Sequence, residues 1–158
     1  APSGDPTPPS PDAPAATGAS GTPATSTTDV TAPRLTGLTL GRSVTRRRGT
    51  TLRFTLSEAA KVTLTFAQPK AGRRVGRTCR KTTAKNRSKP RCTIANVRGT
   101  LTVYGRAGAN AILFKGQLSK ARRLALGRYL LTATAVDPAG NAGTQASRRF
   151  ALTRDRSR

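Results

Sequence analysis

Apolar residues alternate with polar ones along most of the chain after residue 33, and this period of two constrains the fold more than any other feature. In TTLRFTLSE, Leu52, Phe54 and Leu56 share one parity, while Arg53 and Thr55 take the other. Such alternation is typical of strands with one buried face. The inward set is expected to be Leu38, Leu40, Leu52, Phe54, Leu56, Val62, Leu64, Phe66, Leu101, Val103, Ile112, Phe114, Leu118, Tyr129, Leu131, Ala133, Ala135, Phe150 and Leu152. The sequence therefore predicts an all-β Greek-key sandwich of about seven strands over residues 33–153.

Helical periodicity is nearly absent from the chain. The stretch SKARRLAL, residues 119–126, is the only place where we expect as much as a single helical turn. No apolar run approaches the roughly 20 residues that a membrane helix needs, so no membrane span is expected.

The first 32 residues differ in composition from the rest. Residues 1–31 contain seven prolines and one clear aliphatic side chain, Val30. This segment cannot bury enough apolar surface to offset the entropy of ordering it. We therefore predict a disordered Pro/Ser/Thr/Ala-rich linker over 1–32, the folded domain over 33–153 and a disordered basic tail over 154–158.

Positive charge is concentrated in the predicted domain. The chain has 29 Lys and Arg against 6 Asp and Glu, and all 29 bases lie in 33–158 beside only Glu58, Asp137 and Asp155. Such a field attracts anionic polymers over a range that salt shortens. Two interpretations remain open, namely a charge that only maintains solubility and a charge that contacts a polyanion.

Four segments carry a family resemblance: DVTAPRLTGLTL, GTTLRFTLSEAAKVTLTF, GANAILFKGQL and LALGRYLLTATAVDPAGNAG. Over about residues 29–153 they resemble the Ig-like, fibronectin type III-like domains of exported bacterial cell-surface proteins, particularly actinobacterial ones. The most specific piece is the run from Gly127 to Asn141, which resembles the sixth strand and following hairpin of those domains. The chain departs from antibody and fibronectin domains in having no Trp and no long-range cysteine pair.

The resemblance implies a non-catalytic structural or adhesive module, and it places Tyr129 at a tyrosine corner with its ring in the core and its hydroxyl on nearby backbone. It also implies a secreted or cell-surface location, with an upstream domain in the same protein. The start at Ala1 and the lack of Met agree with a removed signal peptide. On their own chemistry, Asp137, Gly140 and Asn141 form a turn, because Gly permits positive φ and Asp and Asn bond local backbone.

Two cysteines, Cys79 and Cys92, are expected to form a disulfide. Two free thiols or half of a metal site are the alternatives, although a zinc site would lack ligands because the chain has no His and no other Cys. A bridge between them closes about 14 residues and is worth about 3 kcal/mol in the chain-entropy account. It would fold a loop at 67–93 back onto the sandwich.

The same loop holds most of the candidate polyanion-binding residues. Ten bases fall in residues 70–91, and guanidinium groups bind phosphate, sulfate or carboxylate in a bidentate manner. Beside Lys70, the candidates are Arg73, Arg74, Arg77, Arg80, Lys81, Lys85, Arg87, Lys89 and Arg91. The alternative is a disulfide-closed loop that has only a structural role and binds nothing.

The partner is not expected to be a specific nucleic-acid sequence. No aromatic residue lies in 67–103, so bases would find no stacking surface there, and no recognition helix or zinc finger is apparent. Other basic clusters, at 46–48, 122–123 and 148–149, are expected to be solvated loop charges or protected strand edges. Anionic cell-wall or extracellular polymers, bound in a salt-sensitive way, are the expected partners. A module that binds polyanions, either nucleic acid without sequence specificity or acidic polysaccharide, through the 70–91 loop is the alternative.

No enzyme, cofactor or metal is expected. There is no His, and the domain's few acids are a strand-end residue, a turn residue and a tail residue. Ser119 and Lys120 are adjacent and are expected to be exposed, and no glycine-rich phosphate loop follows a strand. An accessory role beside a secreted hydrolase remains an alternative that depends on sequence upstream of Ala1.

The resemblance also raises the question of calcium. In some bacterial Ig-like arrays an acid at the start of the domain and the D-x-x-G-N hairpin face a domain junction, which makes Asp29, Asp137 and Asn141 candidates by position. Calcium takes several charged oxygens. Two carboxylates in so basic a domain are too few, and we favour the turn interpretation.

Overall fold

The computed structural model describes residues 28–155, and every regular element among them is a strand. Nine strands follow in chain order, where we expected about seven. They are β1 Leu35–Thr39, β2 Ser43–Thr45, β3 Thr50–Leu56, β4 Ala60–Val75, β5 Thr78–Lys81, β6 Arg91–Gly105, β7 Gly108–Phe114, β8 Gly127–Val136 and β9 Ala146–Thr153. The prediction of an all-β protein is confirmed.

Parts of the predicted flanks lie outside the described residues. Of the linker predicted at 1–32, only residues 28–32 are described, and they are exposed and outside any strand. Of the tail predicted at 154–158, only Arg154 and Asp155 are described.

The strands form two layers. A small sheet has the order β1-β3-β7, and a large sheet has the order β2-β9-β8-β4-β5 with β6 on the other edge of β4. The strand pairings are antiparallel apart from that of β2 with β9. β4 is the central strand of the large sheet, because it has partners on both edges. β6 pairs along one edge, and on the other edge β8 pairs with the first half of β4 and β5 pairs with its last residues.

The alternation of the sequence becomes the core between the layers. Leu52, Phe54 and Leu56 on β3 face Val62 and Leu64 on β4, and all five are at most 2% exposed. Four aromatic rings close one end of the core, those of Phe66, Phe114, Tyr129 and Phe150. Apolar side chains that reach this layer leave water, and this burial holds the sheets together.

The stretch at 119–126 is not helical. Residues 116–124 form a narrow turn in which the Leu118 N–H donates to the Arg122 carbonyl and the Leu124 N–H donates to the Gly116 carbonyl. Leu124 is buried by this turn and joins the core. The reversal of the chain at this turn places Leu124 against the core.

The largest difference from expectation concerns residues 67–93, which the sequence predicts to be a loop. Instead β4 continues to Val75 and pairs with β6 from Gln68↔Asn96 to Arg73↔Arg91, and β5 adds a third strand. The backbone ladder holds these strands together without an apolar face, because strand hydrogen bonds do not require one. Pro69 lies where β4 has left β8 and not yet met β5, so its missing N–H falls beside an open edge.

Candidate functional site

The predicted polyanion-binding bases converge on the three-stranded tip of the hairpin, which we call the basic ribbon (residues 67–93). β4 lies in its middle, β5 on one edge and β6 on the other. A register shift between Phe66 and Ala67 leaves Arg98 as an extra residue on β6 where the ribbon departs from the sandwich. Such bulges increase strand twist and change the direction of the strand beyond them.

Three arginines form a row across the ribbon. Arg73 on β4 is directly opposite Arg80 on β5 and directly opposite Arg91 on β6. Residues that are directly opposite each other on neighbouring strands point to the same face, so all three arginines lie on one face of the ribbon, the face opposite the two cysteines. The guanidinium of Arg73 donates to the Lys89 carbonyl at 2.9 Å. Because like charges directly opposite each other destabilise a sheet, the arginine row concentrates positive charge at a cost to the ribbon's own stability.

The remaining predicted bases surround this row. Arg74 is opposite Cys79, Arg77 lies in the turn after Gly76, and Lys81 ends β5. Residues 82–90 link β5 to β6 and carry three more exposed bases, Lys85, Arg87 and Lys89. The structure thus brings all nine candidates to one tip, although only three of them share the row.

The loop over 82–90 is organised by a residue that sequence analysis missed. Asn86 is 9% exposed; its Oδ1 accepts the Thr83 N–H at 2.7 Å, and its Nδ2 donates to the Lys81 carbonyl at 2.9 Å. Its own carbonyl accepts the Lys89 N–H at 2.9 Å. The signal that could have indicated this role is the single Asn among bases in KNRSK, since Asn side chains bond local backbone in turns.

The Cys79–Cys92 disulfide is present and joins the two outer strands of the ribbon. The Cα atoms of the cysteines are 5.9 Å apart, whereas two strands flanking a third in a flat sheet are about 9.5 Å apart. The tip is therefore curled. Gly72 lies under the bridge, where a Cβ would come within 2.8 Å of the Cys79 sulfur and 2.7 Å of the Arg80 carbonyl oxygen.

Two arginines of the clusters that we ranked below the ribbon support backbone of the sandwich. The guanidinium of Arg46 donates to the Leu124 carbonyl at 2.7 Å, and Nε of Arg148 donates to the Leu38 carbonyl at 2.7 Å. The exposed Arg122 lies in the turn that buries Leu124. These contacts explain part of the basic composition without a ligand.

Tyr129 is buried between the layers with its hydroxyl at the edge of the core. The hydroxyl donates to the Ala125 carbonyl at 2.8 Å, and the ring stacks on Phe150 with centroids 5.5 Å apart. Burial raises the pKa of this phenol above its usual value, while the cations of Arg98 and Arg46 oppose that rise. The hydrogen bond ties the start of β8 to the backbone four residues upstream.

The turn after β8 brings acids together at the opposite end of β4 from the ribbon. Asp137 accepts the Asn141 N–H at 2.9 Å and the Asn141 Nδ2 at 2.8 Å, and this Nδ2 also donates to the Asp29 carbonyl at 2.8 Å. Carboxylate oxygens of Asp29, Glu58 and Asp137 lie within 4.8 Å of one another. Gly140 supports the turn at φ +93°.

The position of Glu58 differs from the expectation of a solvent-facing strand end. It is half-buried beside Asp137 because the turn between β3 and β4 meets the turn after β8. Glu58 is a third carboxylate where the sequence suggested two, but both oxygens of Asp137 already accept hydrogen bonds from Asn141, which leaves the cluster with fewer uncommitted oxygens than the roughly six to eight that calcium takes. The turn hydrogen bonds account for Asp137 and Asn141 on their own.

The Asp137 turn makes the stability of the domain depend on pH. Burial acts to raise the pKa of Asp137, but hydrogen bonds from the side chain and backbone of Asn141 and from the N–H groups of Gly140 and Ala139 outweigh it, so the pKa is lowered. A lowered pKa stabilises the fold above the unfolded value of about 3.9, and this contribution is lost as pH falls through the folded value.

We expect Asp137→Asn to melt at a lower temperature than the parent at about pH 7, with the gap closing towards about pH 2. Thermal melts by circular dichroism across that range measure the gap. A gap of the same size at both extremes would assign the loss to the changed turn geometry rather than to the carboxylate charge.

The serine considered as a nucleophile from the sequence makes a turn contact instead. Ser119 is exposed, and its Oγ accepts the Arg122 N–H at 3.2 Å.

Within residues 28–155 there is no helix of the length and apolarity needed to cross a membrane. No protein-family model matches the chain, and no curated protein is significantly similar to it in sequence.

Proposed function

We propose that this chain is a non-catalytic, Ig-like module of an exported protein and that it adheres to anionic polysaccharide through the basic ribbon. The strand order supports the Ig-like part of the proposal: β1, β3 and β7 form one layer, β9, β8, β4 and β6 form the other, and the chain changes layer from β3 to β4, from β6 to β7 and from β7 to β8. The hydroxyl of Tyr129 bonded to upstream backbone supports it as well.

Export is supported by the disulfide. Bonds such as Cys79–Cys92 persist in oxidising surroundings and are rare where thiols are kept reduced. A module that has left the cytoplasm meets the acidic glycans of cell surfaces and matrices. A location outside the cytoplasm is therefore consistent with an acidic glycan as the partner.

The arginine row is the observation on which the proposal of binding depends. Three like charges placed opposite one another cost the free ribbon stability, and an anion between them turns that repulsion into charge-assisted hydrogen bonds. A bound sulfate or carboxylate would accept from two neighbouring guanidinium forks at once. A surface charged only for solubility has no need to align its cations in this way.

Polysaccharide is favoured over nucleic acid because the ribbon offers no aromatic surface. Residues 67–103 contain no Phe, Tyr or Trp, and single-stranded nucleic acids are bound largely by stacking bases on such rings. A glycan requires only partners for its acidic groups. The arginine row supplies such partners without a stacking platform.

The proposal predicts that Arg73→Ser/Arg80→Ser/Arg91→Ser weakens binding to a sulfated polysaccharide by at least about tenfold, since charge-assisted hydrogen bonds are worth about 1.5–3 kcal/mol each. The dependence of log Kd on log salt should flatten by about one for each ion pair removed. Binding is measured by calorimetry between low and physiological salt. Hydrogen exchange of the ribbon strands should stay the same or slow, because like-charge repulsion has been removed, while the 82–90 loop should exchange faster because the Lys89 carbonyl loses its hydrogen bond from Arg73.

A matched control removes the same charge elsewhere. Arg53 on β3, Lys61 at the start of β4 and Arg106 after β6 are exposed and lie away from the ribbon. Changing these three to Ser should weaken binding less than about threefold, through the general field alone. Equal losses of affinity in the two triple variants would show that binding depends on the total charge and not on the arginine row. If the parent bound a single-stranded oligonucleotide more tightly than the sulfated polysaccharide, nucleic acid would be the favoured partner instead.

A further inference from the structure

A groove of about 590 Å³ opens on the outer face of the large sheet, at the point where the basic ribbon departs from the sandwich. Its floor is the paired backbone of Arg128–Leu130 on β8 and Arg149–Ala151 on β9, and Arg42, Pro69 and Thr93 border it. The rings of Tyr129 and Phe150, on the same two strands, are buried in the core on the opposite face. We call this depression the sheet groove.

Three exposed arginines surround the sheet groove. Arg128 is opposite Ala151 and Arg149 is opposite Leu130, so the two arginines are diagonal neighbours on one face, about 7 Å apart. Arg42 joins them because its carbonyl accepts the Ala151 N–H at 2.8 Å. The sequence gives no reason to group Arg42 with Arg128, and neither belongs to the ribbon.

These three guanidinium groups are uncommitted. Arg46 and Arg148 each donate to a backbone carbonyl of the sandwich, whereas the side chains of Arg42, Arg128 and Arg149 donate no hydrogen bond to another described residue. The described acids are placed elsewhere, three of them in the cluster around Asp137 and the fourth, Asp155, accepting the Arg47 N–H. Within residues 28–155, therefore, no acid neutralises these three arginines, and their charge attracts an outside anion.

The sheet groove is continuous with the ribbon. Pro69 and Thr93 also border a second depression of about 320 Å³, which continues along Ala71 to Arg91 of the arginine row. Along β4, Arg73 lies six residues after Ala67, which is opposite Leu130, and six residues of strand span about 20 Å. One face therefore carries two clusters of arginines about 20 Å apart, joined by a floor of small side chains.

We propose that the sheet groove is a second anion subsite and that it and the arginine row together hold one extended acidic glycan chain. This inference rests on the proposed function and adds the path of the ligand to it. The Pro and Ala floor between the subsites is shallow and apolar, so a linear polymer can lie across it without burying polar groups of the protein. Two linked subsites raise the affinity for a chain long enough to span both, because the second contact becomes intramolecular.

The test uses Arg128→Gln/Arg149→Gln, with Arg53→Gln/Arg106→Gln as the variant of equal charge. Probes are a sulfated disaccharide, a sulfated octasaccharide and a single-stranded oligonucleotide of equal charge to the octasaccharide. The groove variant should bind the octasaccharide about tenfold more weakly than the control variant does, and the disaccharide within about threefold. In the parent, octasaccharide should shift the NMR amide signals of both Leu130 and Thr93.

Failure of the second subsite can be told apart from failure of the proposed function. Octasaccharide binding that survives in the groove variant at the level of the control, yet disappears in the triple variant of the arginine row, would leave the ribbon as the only site and overturn the second subsite. Unchanged binding in both variants would overturn both proposals. A parent protein that prefers the oligonucleotide, or that gains nothing from the longer glycan, would also reject the spanning glycan.

Discussion

The Phe150→Ala variant is expected to lose about 4 kcal/mol of unfolding free energy, which is a large part of the roughly 5–15 kcal/mol by which folded domains are stable. The ring of Phe150 meets three others: those of Phe66 and Phe114 edge to face at 6.1 and 5.9 Å, and that of Tyr129 in a stack at 5.5 Å. These residues come from both layers, so removing one ring opens a cavity where the sheets meet. Chemical denaturation measured by circular dichroism gives the change.

Leu113→Ala is the matched control for this substitution. Leu113 is the neighbour of Phe114 on β7 but points outward and is 62% exposed. Its truncation should change the unfolding free energy by no more than about 0.5 kcal/mol. Similar losses in the two variants would show that the four rings do not form a common core, and the two-layer account of the fold would then be wrong.

The core positions show how much of the fold is encoded locally. Parity alone predicts that Phe54, Leu64 and Tyr129 point inward, and all three are at most 2% exposed. Parity also predicts that Leu113 points to the opposite face from Ile112 and Phe114. Burial of one strand face leaves its period in the sequence, so these positions are readable without any knowledge of strand partners.

Elements that are very short or that bury little show no such period, and the sequence does not predict them. β2 has three residues and joins the sheet as an edge by parallel pairing with β9. The far half of β4 has polar or small side chains on both faces, so nothing in AQPKAGRR distinguishes a strand from a loop. Its strand conformation depends on a partner segment about 20 residues away, and this pairing has no local signal.

The candidate site was predictable as composition but not as geometry. A count of bases locates the ribbon, yet the alignment of Arg73 with Arg80 and Arg91 depends on two registers that a shift of one residue would destroy. Arg128 and Arg42 are likewise single bases in the sequence that become neighbours only through sheet pairing. The carboxylates of Glu58 and Asp137 likewise come from two separate turns and become neighbours only through the pairing of the strands.

Gly72→Val is expected to keep the disulfide from closing normally and to disorder the basic ribbon. Gly72 is opposite Lys81 on one edge of β4 and Cys92 on the other, and the bridge passes over it. A Cβ there would meet the Arg80 carbonyl oxygen at 2.7 Å and the Cys79 sulfur and the Ile94 side chain at 2.8 Å. Overpacking of this kind costs about 1–3 kcal/mol, which shifts the thiol–disulfide equilibrium with glutathione by about tenfold.

Ala71→Val is the control, because it adds bulk at the neighbouring, exposed position of the same strand. Thiol titration in glutathione buffers should give the parent equilibrium constant for this variant and a constant shifted about tenfold towards the dithiol for Gly72→Val. Binding of sulfated polysaccharide should be weaker in Gly72→Val than in the parent, since alignment of the arginine row depends on the closed tip; Ala71→Val is the control for the thiol equilibrium alone, because Ala71 lies on the proposed glycan path. If Gly72→Val oxidised like the control, a Gly at this position would not be required for closing the tip. If it failed to oxidise and yet bound like the parent, the curled tip would not be the feature that holds Arg73, Arg80 and Arg91 in line.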